Sequence, residues 1–417
     1  MKRLSNRLRY LLTRFFFCAM GLQVNYWRNR VENLWLATDI ERKKEQEQLL
    51  IRNRPLNADG TEVTNIEELS KSPLLSKQML RVNAKKTNSY QGRRFNRHTA
   101  GTTGESTSIS VIPEELGRML GVRDYCFRKW GFRLGEREAR LWGRPEKGLK
   151  SWCKNFILNR RVFHPVGSET ETEVRDLLKW EPEYIYGYSS LLLEAAKVIQ
   201  HLDIRFKSPK CVICTAEAIL PTQKEYLSTV FGAPVAEEYG STEFDVIAFE
   251  CHRGHRHIVN PWLYVENSSD SCIISDCSRR SLDIIRYDAA DVIRLELNEC
   301  REIGSEVIVT LLEGRSVNQF AYASKGSKFH AVHFGNLSDK YMNENSDVFG
   351  IKVVQLEYGS FEVIVTSVPK KGLLDLEQYI KRYIKYEVGY DITVKCTNED
   401  RFPVTKQSYF ISNLTLS

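Results

Sequence analysis

The sequence predicts an α/β protein with a large N-terminal part and a smaller α+β lobe at its C-terminal end. Helical and strand patterns alternate in the middle of the chain, strands dominate after Phe244, and the pattern changes again after Arg315. Alternating helices and strands favour a sheet of parallel strands. The 417 residues, 42% of them hydrophobic, are enough for more than one domain with a buried core.

In the N-terminal part, the local spacing of apolar residues predicts the helices and strands. Residues 1–55 predict helices, and apolar residues at helical intervals predict another helix from Ser189 to His201. Lys210–Thr215 predicts a buried strand. Pro221 opens the next helix, because proline is tolerated in a first helical turn. A strand that ends near Tyr239 follows, so helix and strand alternate through this region.

The last hundred residues have a pattern of their own. The predicted elements are the strands Ile351–Leu356 and Phe361–Val365, the helix Leu373–Glu387 and the strand Ile392–Cys396. We therefore expect a large domain of residues 1–315 and a C-terminal lobe of residues 316–417; the hinge between them is implied by the family resemblance given below.

The charge of the chain is mild, with 60 basic and 53 acidic residues and a net charge of +7. This predicts no nucleic-acid partner, because such proteins concentrate basic residues on one face. Residues 1–30 nevertheless contain seven basic residues and no acidic one. Two interpretations stay open for this segment: a helix packed on the protein, or a basic amphipathic helix that contacts an anionic membrane at its inner face.

The ten cysteines are scattered, which favours reduced thiols in a cytoplasmic protein over a disulfide scaffold. Cys211 and Cys214 have C-x-x-C spacing but lie within the predicted strand. Side chains three residues apart in a strand point to opposite faces, so we expect no joint metal or redox site there.

A second cysteine, Cys251, begins a segment rich in histidine that ends at His257. Cysteine and histidine at this density are typical ligands of zinc. Cys272 or Cys277 is a candidate to complete such a site. The alternative, a β-hairpin tip with histidines facing solvent, stays open.

Two segments have the composition of a nucleotide site. Thr99–Ser108 is rich in glycine, threonine and serine, and such a loop lets backbone amides and hydroxyls approach a phosphate closely. Its spacing is not that of a Walker A loop. Glu238–Glu243 reads Glu-Tyr-Gly-Ser-Thr-Glu after a strand. It offers an aromatic ring for a base and a carboxylate for Mg²⁺.

Together with Ile285–Asp291, Leu312–Arg315 and Phe402–Gln407, these segments resemble the adenylate-forming superfamily of acyl-CoA synthetases, adenylation domains and luciferases. The branch that they resemble contains phenylacetate–CoA ligases and CapK-like proteins of capsule biosynthesis. The resemblance runs from about residue 70 to residue 410.

The resemblance implies a role for each matching residue. The expected ATP-binding residues are the phosphate-loop residues Thr99, Gly101, Thr102, Thr103 and Gly104, then Ala216 and Glu217 beside the adenine, Tyr239 and Gly240 of the Y-G-x-T-E motif, Asp291 at the ribose, and Arg315 before the hinge. The expected catalytic residues are Thr242, Glu243 as the Mg²⁺ ligand, and Lys406 as a mobile lysine. We expect the acid to bind near Tyr186 and Tyr188.

The sequence departs from the family pattern at four positions. Thr107 follows the phosphate loop where lysine is common, and Ala290 stands where glycine is usual. Asn318 occupies a hinge position that is more often acidic or lysine, and Thr405 replaces the glycine before the lysine. A catalytically silent relative with this fold therefore remains an alternative.

The resemblance implies that ATP and Mg²⁺ activate a small carboxylic acid as an acyl-adenylate, with release of pyrophosphate. Coenzyme A is then the implied acceptor, and a role in polysaccharide or capsule biosynthesis is implied by the branch. An amide-forming ligase with an amine acceptor is the alternative within the enzymes.

Overall fold

The computed structural model describes residues 2–85, 92–98, 108–142, 148–165, 169–266, 271–313, 320–399 and 410–414. Its α-helices are α1 Lys2–Ala19, α2 Val24–Leu36, α3 Asp39–Asn53, α4 Ile66–Lys71, α5 Lys77–Lys85, α6 Pro113–Lys129, α7 Leu149–Ile157, α8 Thr170–Trp180, α9 Ser189–His201, α10 Pro221–Phe231, α11 Val332–Asn345 and α12 Leu373–Tyr383. A π-helical turn, Ile384–Val388, continues α12. Across the described residues, no helix combines the length and the apolar character that crossing a membrane requires.

The strands are β1 Phe95–His98, β2 Ser108–Val111, β3 Glu138–Leu141, β4 Arg160–Phe163, β5 Tyr184–Tyr188, β6 Cys211–Thr215, β7 Val235–Ser241, β8 Asp245–Glu250, β9 Arg256–Ile258, β10 Leu263–Glu266, β11 Ile273–Asp276, β12 Tyr287–Asp288, β13 Val292–Leu297, β14 Val307–Glu313, β15 Phe320–Ser324, β16 Ser327–His330, β17 Ile351–Glu357, β18 Ser360–Val365, β19 Thr393–Asn398 and β20 Phe410–Ser412. The predicted mixed α/β fold class is confirmed.

The central sheet has the strand order β13-β14-β9-β8-β7-β6-β5-β3-β4. Strands β4, β3, β5, β6 and β7 are parallel, and from β7 through β8, β9, β14 and β13 each pair is antiparallel. Helices α9 and α10 connect β5 to β6 and β6 to β7, as parallel neighbours require. The carboxyl ends of β5, β6 and β7 therefore meet at one edge of the sheet.

The central strands are buried on both faces. Ile213 and Cys211 belong to one hydrophobic core, whereas Val212 and Cys214 belong to the other. This alternation confirms that the two cysteines point to opposite faces. The ten cysteines, all of them within the described residues, are free of disulfides.

Local signals set the helix ends near the sheet edge. The helix predicted from Ser189 to His201 has these bounds in α9. Pro221 opens α10 as predicted, and Gln223 accepts the backbone N–H of Leu220 at 3.1 Å. Gly232 ends α10 in the left-handed region with φ 59°, where glycine has no steric penalty.

The C-terminal elements form a four-stranded sheet in the order β19-β18-β17-β20, with α11 and α12 packed against it. Its buried core is made of residues between 321 and 410. Hydrogen bonds join this unit to the helices beside the central sheet; for example, Gln223 Nε2 donates to Phe349 O at 2.6 Å, and Lys197 Nζ donates to Thr366 Oγ1 at 3.0 Å.

A buried ion cluster lies under the carboxyl edge of the central sheet. Arg123 of α6 donates two hydrogen bonds to Glu238 at 2.8 and 3.2 Å and also pairs with Asp245 at 3.3 Å. Arg97 of β1 reaches Asp245 at 2.8 Å, and the Tyr186 hydroxyl donates to Glu238 at 2.7 Å. The cluster joins α6, β1, β5, β7 and β8 at one point.

Every charge in this cluster has a partner, which is the condition for keeping ions out of water. Burial alone would raise the pKa of Asp245, but the positive charges of Arg123 and Arg97 outweigh burial and lower that pKa well below its ordinary value. The carboxyl group is therefore ionised in the folded protein at neutral pH.

We expect Arg123→Met to lower the free energy of unfolding by about 3–5 kcal/mol, because it keeps most of the side-chain volume but leaves buried carboxylates short of a partner. Chemical denaturation measures the loss. The matched control is Arg175→Met, which breaks an exposed pair with Glu171 and should cost about 0.5 kcal/mol or less. Equal small losses in the two variants would contradict this role of Arg123.

The same cluster predicts a pH dependence of stability. Because the folded pKa of Asp245 is depressed, its contribution is present above the unfolded value of about 3.9 and is lost as pH falls through the folded pKa. Below pH of about 4, the unfolding free energy of Arg123→Met should therefore fall less steeply than that of the unchanged protein.

Candidate functional site

Three strand ends bring the predicted nucleotide residues together. In the register of the sheet, Tyr188 at the end of β5 lies opposite Thr215 at the end of β6, and Thr215 lies opposite Glu238 on β7. The segments that follow these residues carry Ala216–Glu217 and Tyr239–Glu243. Ligands of open α/β sheets bind in the crevice outside the carboxyl ends of the strands, so this edge is the candidate site.

The turn after β6 is held by a side chain that caps a neighbouring helix. Ala216 adopts the left-handed conformation with φ 66°. The Glu217 carboxylate accepts the backbone N–H of Ser190 at 2.8 Å, and the Ser189 hydroxyl donates to Glu217 O at 3.2 Å. Glu217 therefore binds the N-terminal turn of α9, which fixes the backbone where the adenine is expected.

The Y-G-S-T-E segment is a tight turn between β7 and β8. Gly240 has no room for a side chain, because a Cβ would lie 2.2 Å from Asp245 O. Ser241 Oγ accepts the backbone N–H of Phe244 at 3.3 Å, which closes the turn. Thr242 O accepts Arg97 Nε at 3.0 Å. The motif residues at 240–242 are thus each held by a contact of their own.

Glu243 is buried, with 5% of its surface exposed, yet its carboxylate has a defined partner. The Tyr287 hydroxyl donates to Glu243 Oε1 at 3.3 Å, and Arg279 donates to the Glu243 carbonyl. Burial and the nearby Glu243 charge raise the pKa of Tyr287, so the hydroxyl keeps its proton. A carboxylate held in this way fits a hard cation that takes its other ligands from nucleotide phosphates.

Tyr239 and Asp291, which the sequence predicts at the base and the ribose, are in direct contact. The Tyr239 hydroxyl donates to Asp291 Oδ2 at 3.1 Å. Burial and the Asp291 charge raise the pKa of Tyr239 well above its ordinary value. Residues 52 positions apart are thus brought to one point of the crevice.

The backbone explains one departure from the family pattern. Ala290 has φ 56°, in the left-handed region that glycine adopts without steric cost. Its N–H donates to Asp288 Oδ1 at 2.8 Å, which holds the strained residue in place. The alanine therefore keeps the turn that a glycine would form and leaves Asp291 in position.

The two predicted acid-pocket tyrosines have different surroundings. The Tyr186 hydroxyl is bound to Glu238 in the ion cluster, and burial raises its pKa to about 12. The Tyr188 ring packs against Trp142 with ring centroids 4.1 Å apart, and burial with the Glu217 charge raises its pKa to about 12. Trp142 carries no motif and was not predicted from the sequence.

Several predicted residues lie outside the described residues. These are Thr99, Gly101, Thr102, Thr103 and Gly104 of the phosphate loop, Arg315 of the hinge, and Lys406. Their described neighbours are informative. β1 and β2 pair up to His98 and Ser108, the two residues that flank the loop. Arg97 on β1 bonds to the Y-G-S-T-E turn, so the base of the predicted phosphate loop is anchored to the predicted Mg²⁺ motif.

Cys251 and His257 lie away from this edge. β8 runs antiparallel to β7, so its end at Glu250 and the following Cys251 are at the opposite end of the sheet. Cys251 and His257 do lie together, and among the described residues their neighbours with potential ligand atoms are His255 and Cys300. Cys272 and Cys277, the candidates from the sequence to complete a zinc site, are not in this group.

A cavity of about 640 Å³ lies among the N-terminal helices and not at these strand ends. Trp27 and Tyr26 of α2 line it together with Arg30 and Arg52. Arg30 pairs with Glu45 at 2.7 Å, which neutralises part of its charge. None of the predicted site residues lines this cavity.

Comparison with known proteins places the geometry in context. No protein-family model matches the chain. It is 22% identical over 396 residues to Protein CapK of Staphylococcus aureus, a match that covers 90% of this chain and 86% of that protein.

Among solved structures, 2-hydroxyisobutyryl-CoA ligase in the postadenylation state in complex with 2-HIB-AMP has a TM-score of 0.64 at 12% identity, over 93% of this chain and 88% of that one. The same ligase in complex with 2-HIB-AMP and CoA has a TM-score of 0.52 at 15% identity, over 90% and 91%. The anthranilate CoA ligase AuaEII has a TM-score of 0.54 at 10% identity, over 75% and 65%. The chain therefore has the fold of the adenylate-forming superfamily, which it shares with AMP-forming acyl-CoA ligases.

Proposed function

We propose that this protein is an AMP-forming acid ligase, which joins a small carboxylic acid to ATP as an acyl-adenylate and releases pyrophosphate. The observation that carries the proposal is the convergence of Tyr239, Glu243 and Asp291 at the carboxyl edge of a sheet with this fold. Tyr239 offers an aromatic ring to the base. Glu243 offers a buried carboxylate to the cation, and Asp291 offers a carboxylate beside the Tyr239 hydroxyl to the ribose.

The chemistry makes a carboxylate into an acyl donor. A carboxylate oxygen attacks the α-phosphorus of ATP, the bond from that phosphorus to the bridging oxygen breaks, and pyrophosphate leaves. Negative charge grows on the phosphoryl oxygens, so catalysis depends on positive charge and donors already in place. Mg²⁺ bound to the nucleotide neutralises part of this charge. Glu243 would hold the cation, and Thr242 would offer its hydroxyl to the phosphates.

The remaining nucleotide contacts follow the same proposal. Backbone amides and hydroxyls of Thr99–Gly104 would bind the β- and γ-phosphates, as glycine-rich loops do. Ala216 and Glu217 would line the adenine, with Tyr239 and Gly240 on its other side. Asp291 would accept hydrogen bonds from the ribose hydroxyls, a role that suits an acceptor-only carboxylate.

We further propose that residues 1–315 and 316–417 act as two domains with a hinge beside Arg315. The core of the C-terminal unit supports this, because its buried residues all lie between 321 and 410. Movement about the hinge would bring Lys406 to the nucleotide for the first step and remove it for the second.

Burial and ring packing favour Tyr188 as a wall of the acid pocket, with Tyr186 beneath it. Trp142 stacks against both rings, at centroid distances of 4.1 Å to Tyr188 and 5.9 Å to Tyr186. Three aromatic side chains in one stack make a rigid, largely apolar lining, which is typical of small-molecule pockets. This supports an acid with an apolar body.

Coenzyme A is the acceptor that we propose, and the fold is compatible with it because a solved ligase of this fold is described in complex with 2-HIB-AMP and CoA. The similarity to Protein CapK supports a second candidate acceptor, an amine, and a role in polysaccharide biosynthesis. Product analysis with and without coenzyme A separates the two, because only a thioester requires the thiol.

The proposal is tested by ATP–pyrophosphate exchange across a panel of carboxylic acids. We expect exchange that depends on one class of acid and on Mg²⁺. Binding of ATP without acid-dependent exchange under any condition would instead support a catalytically silent relative.

We expect Glu243→Gln to lower the exchange rate about 10²-fold at limiting Mg²⁺, and less at high Mg²⁺, because the amide keeps the size but not the charge that binds a hard cation. The matched control is Tyr287→Phe, which removes only the hydroxyl bonded to Glu243 and should reduce exchange less than tenfold. An unchanged Mg²⁺ dependence in Glu243→Gln would remove this residue from the cation site.

We expect Lys406→Ala to lower pyrophosphate exchange by about 10²–10³, the effect of losing one donor at developing charge. Transfer of the acyl group from a chemically supplied acyl-adenylate should be unaffected. In our proposal, the lobe has moved Lys406 away from the nucleotide before that step takes place. Lys395→Ala, an exposed residue on β19 of the same lobe, is the control and should leave both steps intact. Equal loss of both steps in Lys406→Ala would show that the lysine is structural.

The surface of the N-terminal helices supports a further part of the proposal, contact with an anionic membrane surface. α1 exposes Leu8, Leu11 and Phe15 at helical spacing, and α7, which touches α1 through a hydrogen bond from Thr13 to Ile157 O at 2.6 Å, exposes Trp152. Residues 1–30 carry seven basic and no acidic residues. Apolar side chains beside such a positive segment are typical of helices that lie on anionic lipid.

Co-sedimentation with phosphatidylglycerol-containing vesicles tests this contact. We expect binding that weakens with salt and that drops about tenfold or more in the double variant Leu8→Ser/Phe15→Ser, since each change removes an apolar side chain from the lipid interface. Leu374→Ser, an equally exposed leucine on α12, should bind as the unchanged protein does. Equal binding by the double variant, or no binding to these vesicles, would mean that α1 does not contact membranes.

A further inference from the structure

Two turns lie side by side at the end of the central sheet opposite the candidate nucleotide site. The first joins β8 to β9 and carries Cys251 and His255, with His257 on β9 itself. The second joins β13 to β14 and carries Cys300. The turns are neighbours because the second lies against β9: Ser305 N–H donates to Ile258 O at 2.9 Å, and Ile308 is opposite His257.

The four side chains of these turns point to a common centre. One potential ligand atom from each of Cys251, His255, His257 and Cys300 lies within 4.8 Å of all the others. The two sulfur atoms are 3.8 Å apart, too far for a disulfide. Two thiolates bound to one Zn²⁺ in a tetrahedron, at about 2.3 Å each, are about 3.8 Å apart.

The imidazole rings supply the second observation. His257 Nδ1 lies 2.6 Å from Ser305 O, and since a carbonyl can only accept, Nδ1 carries the proton. The lone pair is then on Nε2, which is buried and has no hydrogen-bond partner among the described residues. His255 Nδ1 is buried without a partner as well. Buried polar atoms in folded proteins are nearly always satisfied, so two unsatisfied nitrogens beside two thiols indicate a missing ligand.

The arrangement has the features of a structural metal site. Ring orientation by a backbone carbonyl is the common outer-shell contact of metal-binding histidine. The two cysteines and His257 are buried, so four protein ligands would surround the ion and exclude a reactive water. A salt bridge from Arg253 to Glu302 at 2.8 Å joins the same two turns at the surface.

We propose that Cys251, His255, His257 and Cys300 bind a structural Zn²⁺ that fastens the β8–β9 turn to the β13–β14 turn. Two sulfur and two nitrogen ligands in a closed site favour Zn²⁺ over harder cations. Binding would replace the two thiol protons, which pass to solvent, and involves no change of oxidation state. The site is independent of the ligase proposal.

The first test measures metal directly in the full-length protein. We expect about one zinc per chain by elemental analysis after purification without chelators or after reconstitution with Zn²⁺. Replacement by Co²⁺ should give the d–d absorption of a tetrahedral ion and a thiolate-to-cobalt charge-transfer band. Protein that binds neither ion, or that contains a Cys251–Cys300 disulfide on alkylation and mass spectrometry, would overturn the proposal.

Variants then identify the ligands. Cys300→Ser should lose the charge-transfer intensity of one thiolate, and His255→Ala should weaken zinc affinity at least tenfold in competition with a chelator dye. The matched controls are Cys277→Ser, an equally buried thiol outside the group of four ligands, and His252→Ala, whose ring nitrogen binds Lys129 O at 2.9 Å and whose ring packs on Trp130. Both controls should retain the unchanged zinc content.

The melting temperature of the unchanged protein provides a test that does not depend on whether a variant folds. Chelation of zinc should lower the melting temperature of the unchanged protein and of both controls, and added Zn²⁺ should restore it. A melting temperature that does not respond to chelation would contradict a structural role for the ion. None of these measurements uses ATP, an acid or coenzyme A, so their outcome is separable from that of the exchange assay.

Discussion

The structure of the candidate site depends on one buried guanidinium. Arg123 extends from α6 into the sheet and binds Glu238 and Asp245, the residues that bracket the turn between β7 and β8. Burying three charges is costly unless each is paired, and here the pairing also ties a helix to two strands. A turn that must present a carboxylate to a metal–nucleotide complex is thereby built on a rigid base.

The strand pairing changes from parallel to antiparallel at β7, and candidate ligands of two different chemical kinds lie at the two edges of the sheet. Strand β8 begins beside Glu243 at the nucleotide edge and ends beside Cys251 at the opposite edge, and β13 begins after Asp291 and is followed by the connection that carries Cys300. One edge therefore carries oxygen ligands and polar turns, and the other carries sulfur and imidazole ligands. A metal at the far edge would stabilise the strands whose other ends form the site, without contacting any reacting atom.

Two residues at the nucleotide edge have a strained backbone. Ala216 and Ala290 both adopt the left-handed conformation, which costs a residue with a Cβ about 1–2 kcal/mol. Each stands directly before a carboxylate residue, Glu217 or Asp291. Strained residues persist only where neighbouring contacts over-determine them, and they are commonly found at ligand sites. The strain here accompanies carboxylates that are already oriented before a ligand arrives.

The sequence by itself determined those features of the structure that depend on residues close together along the chain. The bounds of α9, the start of α10 at Pro221 and the buried strand β6 follow from periodicity and from proline chemistry within about ten residues. The fold class, and the short motifs that contain Glu243 and Asp291, could be predicted because their spacing along the chain carries the signal. The roles of Thr99–Gly104 and Lys406 stay predictions that rest on the same kind of pattern.

Only the tertiary structure decided which distant residues meet. Arg123 has no motif, and it reaches Glu238 across 115 positions because α6 packs against β7 and β8. Cys300 meets Cys251 across 49 positions because the connection from β13 to β14 lies against β9. The sequence pointed to Cys272 or Cys277 as the partner of Cys251 and not to Cys300. Strand order and register set these long-range contacts. Both are properties of the whole sheet, and a local sequence pattern does not reveal them.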